Sequence, residues 1–290
     1  MVKAFDRDTN VDYNVDMTQH RKIASQTENL QFLKLGGSLI TDKYQPRTPQ
    51  REIIARLAGE IAATRAENPS LNLVLGHGSG SFGHIPAEKY GTRAGVRTPS
   101  EWRGFAEVWL DASALNRIVV EALQTAGIPA ISFAPSGEAI TRKGQIIVWD
   151  TNPLQTALQK GLLPVVYGDV VFDEELGGTI LSTENIFTYL ARQLHPSRIL
   201  LAGLDEGVWV DYPACKNLLP HIRPGDLHKI EQGLEGSAAT DVTGGMAGKV
   251  KEMLALVEEF DGLEVLIFSG ATAQNVGRAL SGERLGTQIG

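Results

Sequence analysis

The residues with the clearest capacity for chemistry form the glycine-rich stretch 76–84, which reads GHGSGSFGH. It directly follows the apolar run 71–75, and a helix is expected from about Ile85. Glycines let the backbone approach a ligand closely, and free N–H groups at a strand-to-helix junction bind anions such as phosphate. We therefore predict a phosphorylated substrate here, with His84 as a donor. His77 is more typical of a turn residue, and ligand contact is the less favoured interpretation for it.

Lysines next to glycines offer the positive charge that phosphate needs. Lys34 precedes Gly36, Gly37 and Ser38, so its ammonium group could reach a phosphate while the turn supplies N–H groups. An ordinary surface lysine before a tight turn explains the same pattern equally well. Lys43 could bring a second positive charge to the same site, although taken alone it is more typical of a solvated side chain.

A second helix start with anion-binding character lies at residues 240–249, which read TDVTGGMAGK. Threonine, aspartate and glycine before a helix cap it and leave N–H groups exposed to phosphate. Lys249 falls one turn inside this helix, where it could reach a transferring group. The stretch is not a P-loop, because its spacing differs and Val250 stands where that motif has a magnesium-binding hydroxyl.

Two acidic turns follow predicted strands. Asp169, after Gly168, could orient Lys34 and Lys249 or could only cap the strand end. Asp205 could bind a ribose or base, with a plain acidic turn as the alternative. Lysine-glycine turns combined with a helix N-terminus match phosphoryl transfer, which needs positioning and charge neutralisation more than a covalent residue. No clustered metal-ligating residues stand out, so magnesium would be held by nucleotide phosphates.

Composition excludes several other functions. The chain has 290 residues, 42% of them hydrophobic, and a formal charge of −7, which does not favour nucleic acid or anionic membranes as partners. No run approaches the ~18 apolar residues of a membrane span. Cys215 is the single cysteine, so a reducing cytoplasm is the expected location. Residues 1–28 are polar and of mixed charge, and we expect them to form a solvated extension.

Apolar runs alternate with helical patterns, which predicts an α/β fold with a mostly parallel sheet covered on both faces. Thr48 and Pro49 predict a helix start, as cap and first helical residue. Trp109 belongs to the expected apolar stripe of the long helix. We predict strands at 31–35, 71–75, 128–133, 163–167, 198–202 and 264–268, hairpins turning near 144 and around 177–178, and further helices at 100–126, 153–160, 182–194, 226–232 and 245–260.

The order of these motifs resembles the amino-acid kinase superfamily, and residues 37–43 and 77–84 resemble its isopentenyl phosphate kinases. The resemblance extends from about Leu30 to the C-terminus. It implies an αβα sandwich over residues 29–290, with an acceptor-binding lobe at about 29–180 and a nucleotide-binding lobe at about 181–290. Members are commonly homodimers, which we therefore expect here.

The resemblance also implies an activity, namely transfer of the ATP γ-phosphoryl group to isopentenyl phosphate, with dimethylallyl phosphate as a related acceptor. Lys43 would stabilise developing charge, and Asp169 would orient lysines. By position, the acceptor phosphate would be bound by Gly78, Ser79, His84 and Gly168, the ATP phosphates by Lys34, Gly36, Gly37, Ser38, Gly80 and Lys249, and the rest of the nucleotide by Asp205 and Gly245.

Two alternatives stay open. A kinase for another small phosphate or phosphonate, such as fosfomycin, would have a shorter and more polar acceptor pocket. A nucleotide-binding sensor without catalysis would not need the charges of Lys34, Lys43, His84 and Lys249 aimed at one point. The residues around a prenyl tail stay open: any of Phe105, Val108, Trp109 and Ile140 could line it, although each is more typical of plain core.

Overall fold

The computed structural model describes residues 29–212, 214–225 and 245–290. The predicted extension 1–28 and the predicted short helix 226–232 lie outside these ranges. In chain order the elements are β1 (Leu30–Leu35), α1 (Gly37–Ile40), α2 (Arg51–Glu67), β2 (Asn72–His77), α3 (Gly80–Tyr90), a 3-10 turn (Thr92–Ala94), α4 (Pro99–Thr125), β3 (Ala130–Ser132), α5 (Pro135–Glu138), β4 (Ala139–Arg142), β5 (Gln145–Trp149), α6 (Asn152–Gln159), β6 (Leu163–Tyr167), β7 (Asp169–Asp173), β8 (Gly177–Leu181), α7 (Thr183–Leu194), β9 (Arg198–Gly203), β10 (Val208–Trp209), β11 (Leu218–Leu219), β12 (His221–Ile222), α8 (Gly245–Glu259), β13 (Glu264–Ser269), α9 (Asn275–Leu280) and β14 (Thr287–Ile289).

The main sheet of the described residues has eight strands in the order β12-β14-β13-β9-β1-β2-β6-β3. All neighbouring strands from β13 to β3 run parallel, whereas β14 is antiparallel to β13. The predicted mostly parallel sheet is thus confirmed. Parallel pairing brings the ends of β9, β1, β2 and β6, and the turns after them, to one edge of the sheet, where open α/β sheets bind ligands.

Each face of the main sheet carries its own hydrophobic core. Phe32 and Ile199 belong to the first core, together with buried residues of α7 and α8. Their neighbours Leu33 and Leu200 belong to the second, together with buried residues of α2, α4 and α9. Successive strand residues point to opposite faces, so these strands are apolar throughout because both faces are covered. This arrangement confirms the αβα sandwich.

A smaller sheet of four strands, in the order β5-β4-β7-β8, contains both predicted hairpins. Asp173 joins their two turns: its carboxylate accepts N–H groups from Gly144 (2.8 Å), Glu175 (2.9 Å) and Leu176 (2.8 Å). Burial of this carboxylate acts to raise its pKa, but the hydrogen bonds outweigh burial and hold the pKa well below its usual range. The ionised Asp173 therefore holds the two turns of the smaller sheet together.

Two local predictions were wrong. The second helix begins at Arg51 and not at Thr48, because Thr48 accepts the Asp42 N–H through its carbonyl (2.9 Å) and Pro49 pairs with Thr41 in an antiparallel bridge. Trp109 is 45% exposed, so it lies outside the buried stripe of α4. The remaining predicted strands and helices within the described ranges are present, with ends shifted by a few residues. No helix among the described residues is long and apolar enough to cross a lipid bilayer.

Candidate active site

The glycine turns after β1 and β2 touch each other at the sheet edge. A Cβ atom on Gly37 would lie 2.5 Å from the Gly80 nitrogen, and one on Gly78 would lie 2.8 Å from the Gly37 nitrogen. Gly80 also has a φ of 48°, in the left-handed region that favours glycine. The Gly78 N–H donates to the Leu35 carbonyl (3.0 Å), which closes the contact. Backbone from the two turns can therefore approach the same ligand.

The first turn is tied to the neighbouring strand as well. The Gly36 N–H donates to the Ala202 carbonyl of β9 (2.8 Å), so this turn lies between β2 and β9. Ser38 is exposed in the short helix α1, which begins at Gly37. The predicted phosphate-binding residues Gly36, Gly37, Ser38 and Gly80 are thus brought together, although their contact with a nucleotide stays a prediction.

Helix α3 begins inside the glycine stretch, five residues before the predicted start at Ile85. Ser79 is its N-cap residue, and the Ser81 N–H donates to the Thr41 hydroxyl (3.0 Å). The early start was missed because glycines and serines have low helix propensity, whereas here contacts to α1 hold them in helical geometry. As a result, His84 lies one turn into α3 and faces the same side as Gly80.

A cavity of about 210 Å³ opens beside this helix. Its polar end contains Ser79, His84, Gly168 and Asp169, and the Gly168 N–H donates to the His77 carbonyl at the end of β2 (3.0 Å). The remaining wall is mostly apolar and comes from α3, the 3-10 turn, α4 and β8: Gly83, Ala87, Gly91, Ala94, Val108 and Ile180, with Glu88 and Arg93 at exposed positions. The cavity therefore has the Ser79 and His84 donors and the Asp169 carboxylate at one end and mostly nonpolar surface at the other.

Among the four residues left open for an apolar pocket, Val108 lies in the cavity wall. Phe105 is buried and packs edge-on against Trp102, 5.2 Å between ring centroids. Trp109 and Ile140 are 45% and 43% exposed, so they are neither core nor cavity residues.

Lys34 is buried and forms an ion pair with Glu184, the second residue of α7. Burial acts to raise the pKa of Glu184, but the charges of Lys34 and Lys249 outweigh it and lower this pKa below its usual value. Glu184 thus connects the two lysines predicted to act on phosphates. The sequence did not single it out, although its place next to the correctly predicted cap Ser182, just after a strand, was an available signal.

Asp169 has different neighbours from those expected. Its Oδ1 accepts the Val170 N–H (2.8 Å), and its Oδ2 is buried without a hydrogen-bond partner. Burial raises the pKa of Asp169 to about 6, although Ser136 and Tyr167 nearby favour the charged form. Glu184 forms an ion pair with Lys34, and the orienting role predicted for Asp169 stays a prediction.

The histidine at the start of the glycine stretch lies in a strand, so the predicted turn position was wrong, and the expectation that it does not contact a ligand stays a prediction. His77 is fully buried at the end of β2, stacks on Tyr167 at 5.5 Å between ring centroids, and contacts the Asn116 side chain through Nε2 (3.2 Å). Burial lowers its pKa, so the ring is neutral near pH 7. Its other nitrogen lies 3.1 Å from the Gly78 carbonyl, which fixes the orientation of the next peptide in the loop.

Lys43 and Asp205 lie in exposed turns. The Lys43 ammonium lies 5.0 Å from the ring centroid of Tyr44, and the described residues include no contact between Lys43 and the cavity. Asp205 follows β9, whose end pairs with β1 at the level of Leu35. Their roles in catalysis and nucleotide binding stay predictions.

The second predicted anion site is only partly described. Gly245 begins α8 with a φ of 61°, and Lys249 follows one turn later. Residues 240–244 lie outside the described ranges. The described residues contain no cluster of three or more side chains that could hold a metal ion.

Comparison with known proteins gives consistent matches. A family model described as the amino acid kinase family matches residues 29–269. Isopentenyl phosphate kinase of Methanocaldococcus jannaschii is 34% identical over 269 residues, covering 90% of this chain and 98% of that protein. The enzyme of the same name from Methanothermobacter thermautotrophicus is 37% identical over 270 residues, covering 89% and 98%. An X-ray structure of isopentenyl phosphate kinase has a TM-score of 0.76 at 32% identity, covering 90% of this chain and all of that one.

Proposed function

Since the chain belongs to the amino acid kinase family, we propose that it transfers the γ-phosphoryl group of ATP to isopentenyl phosphate, giving isopentenyl diphosphate and ADP. The observation that carries the choice of acceptor is the cavity beside α3. A phosphate monoester with a hydrocarbon tail needs donors at one end of its site and nonpolar surface at the other, and the cavity has both. A small polar phosphonate would leave the apolar wall of Val108 and Ile180 without a partner.

The acceptor end of the site is formed by residues of the second turn and of the loop after β6. His84 and Ser79 donate to the acceptor phosphate, and Gly78 and Gly168, whose N–H groups already donate to the Leu35 and His77 carbonyls, let the phosphate approach the backbone closely. A phosphate monoester loses its second proton near pH 6, so it is already a nucleophile at neutral pH and needs no strong base. The residues at this end therefore align an acceptor oxygen with the γ-phosphorus, and the new P–O bond forms as the bond to ADP breaks.

The nucleotide end depends on charge neutralisation. Lys34 and Lys249 hold the ATP phosphates, assisted by N–H groups of the first turn, and Glu184 keeps both ammonium groups aimed at them. Lys43 stabilises the charge that develops during transfer. Magnesium, held mainly by the nucleotide phosphates, would add charge neutralisation when bound. Asp205 and Gly245 complete the nucleotide site.

We further propose a cytoplasmic homodimer with no nucleic-acid or membrane partner. Exposed apolar side chains support the dimer: Leu110 of α4 is 55% exposed, and Val148 and Phe172 of the smaller sheet are 54% and 51% exposed. Light scattering after gel filtration would measure the mass. A monomer at micromolar concentration would contradict this part of the proposal.

The activity is tested by ADP release with MgATP and a panel of acceptors: isopentenyl phosphate, dimethylallyl phosphate, fosfomycin, UMP, carbamate and N-acetylglutamate. We expect turnover to be fastest with the two prenyl phosphates. Turnover with fosfomycin alone would show that the protein is a kinase but would refute isopentenyl phosphate as its acceptor. ATP binding with no turnover on any acceptor would favour a sensor of the same fold.

A further inference from the structure

Helices α7 and α8 are joined by polar contacts at two separate levels. At the first level, one Glu252 oxygen of α8 accepts hydrogen bonds from the Asn185 amide (3.0 Å) and the Thr188 hydroxyl (2.9 Å) of α7. At the second level, Arg192 of α7 pairs with Glu259 of α8 (2.8 Å). The two contacts differ in their surroundings, because Glu252 is partly buried whereas the Arg192–Glu259 pair is exposed.

The α7 partner of Glu252 belongs to the cap of that helix. Asn185 accepts from the Ser182 hydroxyl (2.9 Å) and backbone N–H (3.2 Å), while its own N–H donates to the Ser182 oxygen (3.1 Å). Glu184, which pairs with Lys34, lies between Ser182 and Asn185 in the sequence. A displacement of the Asn185 side chain would therefore also displace the backbone that carries the Glu184 carboxylate.

On α8, Glu252 follows Lys249 by three residues, so the two side chains lie on neighbouring positions of one helix face. The hydrogen bonds from Asn185 and Thr188 to Glu252 show that this face is turned toward the first turns of α7, and the charge of Lys249 lowers the pKa of Glu184 there. Glu252 thus lies one turn along α8 from Lys249 and is hydrogen-bonded to the first turns of α7, where Glu184 pairs with Lys34.

A partly buried carboxylate is an unfavourable way to join two helices, because the charged group loses contact with water. Burial raises the pKa of Glu252, and the nearby charge of Glu184 raises it further, whereas the hydrogen bonds from Thr188 and Asn185 lower it. An uncharged side chain of similar size would join two helices without this desolvation cost. Hydrogen bonds have defined lengths and directions, however, so two of them on one side chain fix the position of α8 relative to α7 more closely than apolar packing would.

We propose that Glu252 is a positioning residue that holds the first turns of α8, and with them Lys249, at a fixed spacing from the Lys34–Glu184 ion pair. It acts through Asn185 and Thr188 and does not touch the nucleotide. This inference rests on the proposed function in one respect, since it takes Lys34 and Lys249 to bind the ATP phosphates. Misplacement of a binding group by about 1 Å is enough to slow a reaction by ~10²-fold.

The test compares three variants by steady-state kinetics and by calorimetric titration with MgATP. Glu252→Ala removes both hydrogen bonds, and we expect kcat/KM for ATP to fall at least ~10-fold, with KM for isopentenyl phosphate changed less than ~2-fold. Glu252→Gln keeps an acceptor oxygen for both donors and should recover most of the loss. Glu259→Ala is the matched control, because it breaks the other contact between the same helices two turns further from Lys249.

Thermal unfolding of all three variants separates positioning from stability. The inference would be overturned if Glu252→Ala had the same kcat/KM and affinity for ATP as the parent protein. It would also be overturned if Glu259→Ala lost as much kcat/KM for ATP as Glu252→Ala, or if Glu252→Gln did not regain it. The proposed function fails separately: a parent protein that binds MgATP but does not phosphorylate isopentenyl phosphate refutes the activity. In that case the ATP affinities of the three variants still decide the role of Glu252.

Discussion

The buried carboxylate of Asp169 predicts a variant that is more stable than the parent protein. Burial raises its pKa from 3.8 to about 6 in the folded protein. Between these values the folded state binds more protons than the unfolded state, so the free energy of unfolding falls as the pH rises from about 4 to about 6. Above this window Asp169 costs a constant amount. A difference of about two pKa units, each worth about 1.4 kcal/mol, gives about 3 kcal/mol.

Asp169→Asn removes this cost, because an amide does not ionise. Its oxygen can still accept the Val170 N–H, whereas its nitrogen loses the favourable effect that Ser136 and Tyr167 have on a carboxylate, so the gain can fall short of the full cost. We expect the free energy of unfolding at pH 8 to exceed that of the parent by up to about 3 kcal/mol, and the difference to shrink toward zero at pH 4. Urea unfolding at a series of pH values and one protein concentration measures it.

Asp173 of the same strand provides a control of opposite sign. Hydrogen bonds lower its pKa despite burial, so ionised Asp173 stabilises the fold and this contribution is lost on acidification. Asp173→Asn should therefore be less stable than the parent at pH 8, and the deficit should diminish at acid pH. Equal stability of Asp169→Asn and the parent at pH 8, or a difference that does not change with pH, would refute the reasoning on Asp169.

Four further predictions concern activity and are measured by steady-state kinetics. His84→Ala should raise KM for isopentenyl phosphate far more than KM for ATP, because it removes a donor at the acceptor end only. Glu184→Gln should lower kcat by ~10²-fold, since it removes the carboxylate that pairs with Lys34 in the buried site. Lys43→Ala should lower kcat by ~10²-fold or more through loss of one charge contact in the transition state. Val108→Phe should fill the apolar end of the cavity and raise KM for isopentenyl phosphate, with KM for ATP unchanged.

For each of these four predictions, a specific kinetic result would contradict the role assigned to the residue. Equal changes in both KM values for His84→Ala would remove His84 from the acceptor site. Near-parental kcat would argue against the roles of Glu184 and Lys43 in their respective variants. An unchanged KM for isopentenyl phosphate in Val108→Phe would show that the hydrocarbon tail does not bind in the cavity beside α3.

Features that depend on neighbouring residues in sequence were predictable. The capped start of α7 at Ser182, the hairpin at Gly144 and the buried strand β6 follow from local propensity and pattern, and the structure confirms them. The glycine stretch was recognised as a backbone-exposing turn for the same reason. The start of α3 was not, because its serines and glycines become helical only through contact with α1 and Thr41.

Features that depend on distant residues were not predictable in detail. Lys34 was recognised as a cation near a turn, but its partner Glu184 lies 150 positions away, so the pairing emerges only from the fold. Asp169 was a plausible partner by sequence because it also follows a strand, and only the sheet geometry separates the two carboxylates. Similarly, the exposure of Trp109 depends on which neighbours cover α4.

The contact between the two glycine turns has a consequence for how such a site can change over evolutionary time. Because a Cβ atom on Gly78 would lie only 2.8 Å from the Gly37 nitrogen, the spacing between the proposed nucleotide end and the proposed acceptor end is fixed by backbone contact. The tail wall at Ala87, Val108 and Ile180 is built from other elements and is free of that constraint. Acceptor range can therefore diversify one side chain at a time while the reacting atoms keep their alignment.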